Sequence, residues 1–198
     1  SICANSDTVL LRRRLRDGAG LGVELDYHED VMPRGPAGCA RDVAASSQAQ
    51  VFVVLEGSIL PRLDLEHLLK THESSGAILT VVVRQAQGMC SGGRRALEPV
   101  GIYVFSRAAF KHVPEHGYHD IKETLVPHLH AAGEFVDTYV VDHAAAASVT
   151  GLSSYLAVSE LMVEQLLCDQ ALESEYLRMG EARVHVSVRM AGSVRLVG

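Results

Sequence analysis

The run Val51-Phe52-Val53-Val54-Leu55-Glu56-Gly57-Ser58 opens with five apolar, mostly β-branched residues and stops at an acid, a glycine and a hydroxyl. It shows no polar alternation, so it predicts a strand covered on both faces, as in a parallel sheet. Outward from it the same alternation of elements repeats. Downstream, Asp64 reads as an N-cap for a helix starting at Leu63–Leu69, and Ile78–Val83 is a second buried strand. Gly101–Phe105 reads as a strand, with Ser106 capping a helix over residues 107–112. A helix over Ile121–His130, a strand over Phe135–Val141 and a periodic helix over Tyr155–Cys168 follow. Upstream, residues 38–47 read as a short helix after the Pro- and Gly-dense loop 32–38. Val23–Tyr27 alternates like a strand, residues 8–16 read as a helix capped by Ser6 or Asp7, and Ser1–Asn5 reads as the end of a strand. Residues 85–96 are Gly-rich, and 144–150 carry weak signals. Strands alternating with helices predict an α/β domain with a mostly parallel sheet and right-handed crossovers.

Composition narrows the function classes. The chain has 198 residues, enough for one α/β core and a small appendage. Net charge is −6 and the pI about 5.9, against the basic face that a nucleic-acid binder needs. Arg12-Arg13-Arg14 has no interleaved aromatics and reads as a solvated helix face. Cys3, Cys39, Cys90 and Cys168 form no C-x-x-C pair, so neither a zinc knuckle nor a disulfide framework is expected. No apolar run is membrane-length, and a cytoplasmic protein is expected. A chain that starts inside a strand predicts a fragment.

From Ala182 the period changes. Val184, Met190 and Leu196 recur every six residues, as do Ala182, Val188 and Val194, and Gly192 with Gly198. A six-residue period predicts the first coils of a left-handed β-helix; a plain hairpin is the alternative. The expected division is 1–172 for the α/β domain and 173–198 for the linker and coils.

Four segments carry a family resemblance. Asp17-Gly18-Ala19-Gly20-Leu21-Gly22, Tyr27-His28-Glu29-Asp30 and Pro33-Arg34-Gly35-Pro36-Ala37-Gly38 form the first. The others are Val53–Leu60, Pro99–Phe105 and Asp120-Ile121-Lys122-Glu123-Thr124-Leu125-Val126-Pro127. In order and spacing they resemble the sugar-phosphate nucleotidyltransferases, in particular the mannose-1-phosphate guanylyltransferase and glucose-1-phosphate nucleotidylyltransferase branches. The resemblance implies a Rossmann-like domain that joins a nucleoside triphosphate to a sugar 1-phosphate, with Mg²⁺ as the family's cofactor, no nucleic-acid or membrane partner, and a homo-oligomer. It implies that Gly35, Pro36, Ala37 and Gly38 face nucleotide or sugar, that Glu56, Gly57 and Ser58 line the crevice, and that Gly101, Lys122 and Glu123 meet the sugar phosphate. Lys122 and Asp120 are its catalytic candidates.

Three departures shape that expectation. The family's G-x-G-x-R nucleotide loop has no counterpart. Ser58 stands where the family has one metal-holding Asp, and Ser148 where it has the other. A serine hydroxyl is a poor Mg²⁺ ligand, so no metal residues are assigned. The alternative expectation is therefore a non-catalytic homologue that binds a sugar nucleotide or serves as a regulatory or structural subunit. His112, His116 and His119 flank Pro114 and Gly117 and read as a surface loop; Cys39 reads as a small buried residue.

Overall fold

The computed structural model describes residues 1–4, 8–30, 32–86, 96–168, 176–179 and 182–185. It divides into two compact units, Ser1–Ala147 and Ser148–Gly198, the division falling ahead of the expected 172/173 boundary.

Three strands of the first unit's main sheet are β3 (Val51–Leu55), β5 (Leu79–Gln85) and β7 (Val136–Val141); the fourth is β6 (Leu97–Ser106). The order is β3-β6-β5-β7. β5 and β7 pair in parallel, whereas β6 lies antiparallel to both β3 and β5. Thus three strands point one way, as expected for an α/β sheet, and β6 runs against them. The register of β5 on β6 shifts between Val81 and Val83, where the partner jumps from Tyr103 to Pro99. The chain bulges there, and Gly101 sits in the bulge with φ +81°.

Side chains of this sheet alternate between two apolar layers. Leu79, Val81, Val83, Tyr103 and Phe105 pack with α2 (Gly35–Ala45) and with Ile121, Leu125 and Leu129. Val82, Val100, Ile102 and Val104 pack with Leu68 of α3 (Leu65–Ser75) and with Ala146. Asp64 caps α3 by accepting from the His67 N–H at 2.9 Å, as its position predicted. A five-residue π-helical turn, Ile121–Leu125, leads into α4 (Val126–Ala131).

A second small sheet pairs β1 (Ile2–Ala4) with β2 (Tyr27–Glu29) in parallel. β2 lies later than the strand expected over 23–27. Val23 and Leu25 instead donate their N–H groups back to the carbonyls of Gly18 and Asp17, which ties that segment to the turn after α1 (Thr8–Leu15). The expected loop 32–38 is also corrected: Gly35-Pro36-Ala37-Gly38 forms the first turn of α2, where proline's missing N–H costs nothing. Ser106 holds the N-cap position of a 3-10 helix over Arg107–His112 but makes no side-chain cap bond; its hydroxyl meets His72 and the Ala77 carbonyl. β4 (Ile59–Pro61) pairs with β8 (Ala146–Ser148).

In the second unit, α5 (Leu152–Cys168) starts three residues before the expected helix. β9 (Tyr176–Met179) and β10 (Ala182–His185) form an antiparallel pair with Val184 opposite Leu177. Of the six-residue columns only Ala182 and Val184 fall among the described residues.

Candidate functional site

The site is built around Glu56, the first residue past β3. Its N–H donates to the Gly101 carbonyl at 2.8 Å, fixing the turn that carries Gly57 and Ser58. Its carboxylate Oε1 accepts from Lys122 Nζ at 3.0 Å and from the Tyr103 hydroxyl at 3.2 Å. Tyr103 is fully buried, and burial first, then the Glu56 charge and hydrogen bond, then Asp120, push its phenol pKa well up. The hydroxyl therefore stays protonated and holds the carboxylate in place.

Gly101 makes this approach possible. A Cβ there would lie 2.9 Å from Glu56 Cδ and 3.0 Å from Ile59 Cγ1, in a backbone conformation that L side chains rarely adopt. Lys122 is oriented by Asp120, whose Oδ1 accepts from the Lys122 N–H at 2.7 Å and the Glu123 N–H at 2.9 Å. Asp120 thus acts as the cap of the π-helical turn. The Glu56–Lys122 pair is partly exposed, and such pairs contribute about 0–1 kcal/mol.

A second group forms at the start of α2. Asp30 accepts from the Arg34 N–H at 2.9 Å and from the Cys39 thiol at 3.3 Å. Burial, then the Asp30 hydrogen bond and charge, push the Cys39 thiol up to about 12. That keeps it inert, in line with its expected reading as a small buried residue. Arg34 Nη1 pairs with Asp42 at 3.0 Å, while its Nε and Nη2 are buried without a hydrogen-bond partner. Gly35 lies under His119: a Cβ would meet the His119 carbonyl at 2.5 Å, and the Ala37 N–H donates to that same oxygen.

A cavity of about 1000 Å³ connects the two groups, with Gly35 and Pro36 on its wall together with Glu56 and Gly57. The other expected site residues divide. Gly101 and Lys122 touch Glu56 beside this cavity. Ala37 and Gly38 are buried within α2, with Gly38 against the Arg34 side chain. Ser58 is exposed on the turn, and Glu123 is exposed with its N–H on Asp120. Tyr103 and Arg34 were not singled out in the sequence. The signal was present, since Tyr103 lies in the Gly101–Phe105 strand two residues from the glycine, and Arg34 directly precedes Gly35.

Among the described residues no group of three or more His, Cys, Asp or Glu side chains is placed to hold a metal ion. Glu56 is already engaged by Lys122 and Tyr103, so the residues present do not assemble the carboxylate set that Mg²⁺ favours. Among the described residues no helix is long and apolar enough to cross a membrane.

No family model matches the chain, and no curated protein matches it. Solved structures do. HddC from Yersinia pseudotuberculosis superposes with a TM-score of 0.64 at 12% identity, over 81% of this chain and 76% of that one. The same protein complexed with GMP-PN gives 0.62 at 13% identity, over 80% and 76%. A Bacillus anthracis protein assigned as a glucose-1-phosphate thymidylyltransferase, in complex with a sucrose, gives 0.66 at 12% identity, over 81% and 74%. The chain shares the fold of these proteins.

Proposed function

We propose that this chain takes part in nucleotidyl transfer to a sugar 1-phosphate, and that its described residues form the side of the site that holds the sugar phosphate. The observation that carries this reading is the Glu56–Lys122 pair beside Gly101. Lys122 supplies a point charge for phosphate. Gly101 leaves the backbone open beside it, and Glu56, released from Lys122, becomes an acceptor for sugar hydroxyls. The crevice runs along β3 as far as the Glu56-Gly57 turn at its carboxyl end, the end where ligands gather in open α/β sheets. The reaction class is attack of a sugar phosphate oxygen on the α-phosphorus of a nucleoside triphosphate, with pyrophosphate leaving. Positioning and charge neutralisation would supply most of the acceleration. The likeness to HddC and to the thymidylyltransferase structure supports the fold side of this reading.

A second reading, a homologue that binds a nucleotide sugar without turning it over, is favoured by a separate observation. Ser58 and Ser148 stand where the family has carboxylates, and no metal-holding group gathers among the described residues.

Isothermal titration separates these readings. Mannose 1-phosphate, glucose 1-phosphate, GTP, dTTP and the corresponding nucleotide sugars are titrated with and without Mg²⁺. Binding of a sugar 1-phosphate that weakens about tenfold in Lys122→Ala, the loss of one charge-assisted contact of about 1.4 kcal/mol, supports the site. Binding of a nucleotide sugar indifferent to Mg²⁺, with no pyrophosphate released, assigns the second reading. No binding of any of these ligands removes both.

A further inference from the structure

The two oxygens of the Glu56 carboxylate are unlike. Oε1 accepts from Lys122 Nζ at 3.0 Å and from the Tyr103 hydroxyl at 3.2 Å. Oε2 lies against Gly101, where a Cβ would stand 3.0 Å from it, and no described residue donates to it. The two donors to Oε1 also differ. Tyr103 is fully buried and holds the carboxylate from the interior of the fold. The Lys122 side chain is 42% exposed, so its ammonium can turn to solvent or to a ligand while the phenol stays in place.

The local charge matters for any anion that arrives. Lys122 faces Glu56 directly, and Asp120 is close enough for its charge to act on Tyr103. Asp120 is engaged by the Lys122 and Glu123 N–H groups and stays where it is. The cation that a phosphate needs is therefore already held by Glu56. A phosphate reaches Lys122 only in the fraction of molecules whose pair is open, and its apparent affinity falls by that fraction. At the upper end of what a partly exposed pair contributes, about one molecule in six is open. A ligand that brings only its phosphate then lies beside a displaced carboxylate of like sign, which weakens it further. A ligand that also brings hydroxyl groups meets that carboxylate as an acceptor. Oε1 has been freed from the ammonium, Oε2 is open, and Tyr103 still holds the group at the site. Hydrogen bonds to an ionised acceptor are roughly twice as strong as neutral ones, so they offset the lost pair.

We propose that Glu56 is a specificity-determining residue: it makes the site favour phosphate monoesters that carry hydroxyl groups over bare phosphate. The proposal rests on the reading of Lys122 as the phosphate contact. The carboxylate changes partner on binding, from the ammonium of Lys122 to the hydroxyls of the ligand. Gly101 leaves it the room to do so.

The test compares glucose 1-phosphate and mannose 1-phosphate with methyl phosphate, which has the same phosphate monoester group and no hydroxyl. Dissociation constants are measured by NMR titration of the 198-residue chain at pH ~8, where all three ligands are dianions. Wild type is expected to bind one of the sugar phosphates more tightly than methyl phosphate. In Glu56→Gln, methyl phosphate is expected to bind about fivefold more tightly and the sugar phosphates no more tightly, so the preference falls by that factor. Glutamine keeps a carbonyl for the Tyr103 hydroxyl. Should that variant lose its far-UV circular dichroism, Glu56→Asp draws the carboxylate back from Lys122 by one methylene and is expected to show the same fall in preference. Equal tightening of all three ligands would make Glu56 a repelling charge and nothing more, and would overturn the proposal. An unchanged preference, no preference in wild type, or no binding to Glu56→Gln overturns it as well. Lys122→Ala separates this outcome from the reading beneath it. Loss of all three ligands there keeps Lys122 as the phosphate contact even where the Glu56 result is negative. Undiminished binding removes that contact, and the discrimination with it.

Discussion

Gly101 is the position where a single atom matters most. Its left-handed backbone and the 2.9 Å approach of Glu56 Cδ leave no place for a methyl group. Gly101→Ala is expected to cost about 1–3 kcal/mol in a urea melt, the range for a strained backbone held by its surroundings. It is also expected to displace Glu56 and so weaken any sugar-phosphate binding that depends on Lys122. Unchanged stability would show that the bulge relaxes freely. The glycine was legible in the sequence as an unusual residue within a strand pattern. The Tyr103 hydroxyl was not, because a tyrosine in an apolar strand reads as core until its partner across the sheet, Glu56, is known.

Among the elements, α2 depends on a residue far along the chain. Arg107 donates to the carbonyls of Ala44 at 3.1 Å, Ser47 at 2.6 Å and Ala49 at 2.8 Å, and its guanidinium lies 5.3 Å over the Phe52 ring. It thereby satisfies the open end of α2 and ties it to the start of β3, a place where a cation also opposes the helix dipole. Arg107→Ala is expected to lower stability by about 2 kcal/mol, a value set by charge-assisted hydrogen bonds at a partly exposed site. Arg107→Lys recovers only part of it, because an ammonium lacks the planar fork. Chemical denaturation of the three proteins checks both statements, and equal midpoints for wild type and Arg107→Ala would remove the clamp. Helix α2 was itself legible, one turn short: the Gly-Pro-Ala-Gly string looks like a loop until the His119 backbone is seen seated on Gly35.

For the molecule as a whole, buried titratable groups set the pH range of stability. His72 is 1% exposed and bonded to Thr80 at 2.8 Å and Ser106 at 3.0 Å. Burial lowers its pKa against the opposing pull of Glu73 and Asp137. Below pH ~6.5 the unfolded chain binds this proton more readily than the folded one, so stability falls as pH drops. Cys39, pushed up to about 12, and Tyr103, also raised, act in the other direction. Their contribution is complete below pH ~8.5 and is lost as pH rises, because the unfolded groups ionise first. Urea melts across pH 5 to 10 are expected to show a plateau between pH ~6.5 and ~8.5. His72→Gln is expected to flatten the acid limb near pH 6, and Cys39→Ala the onset of the alkaline limb. A wild-type profile still rising at pH 9 would contradict the alkaline assignment.

What the sequence determined by itself was the order of elements and the kind of sheet. Val51–Leu55, Ile78–Val83 and Gly101–Phe105 are runs whose periodicity and β-branching suffice to name them strands. Asp64 announced its cap by position alone. What tertiary structure decided was direction, pairing and proximity. No local signal says that β6 runs against its neighbours, that Lys122 crosses the fold to reach Glu56, or that β3 pairs with β6 and not with β5. Each of those depends on contacts between residues far apart in the chain, and a local pattern holds information only about its own neighbours.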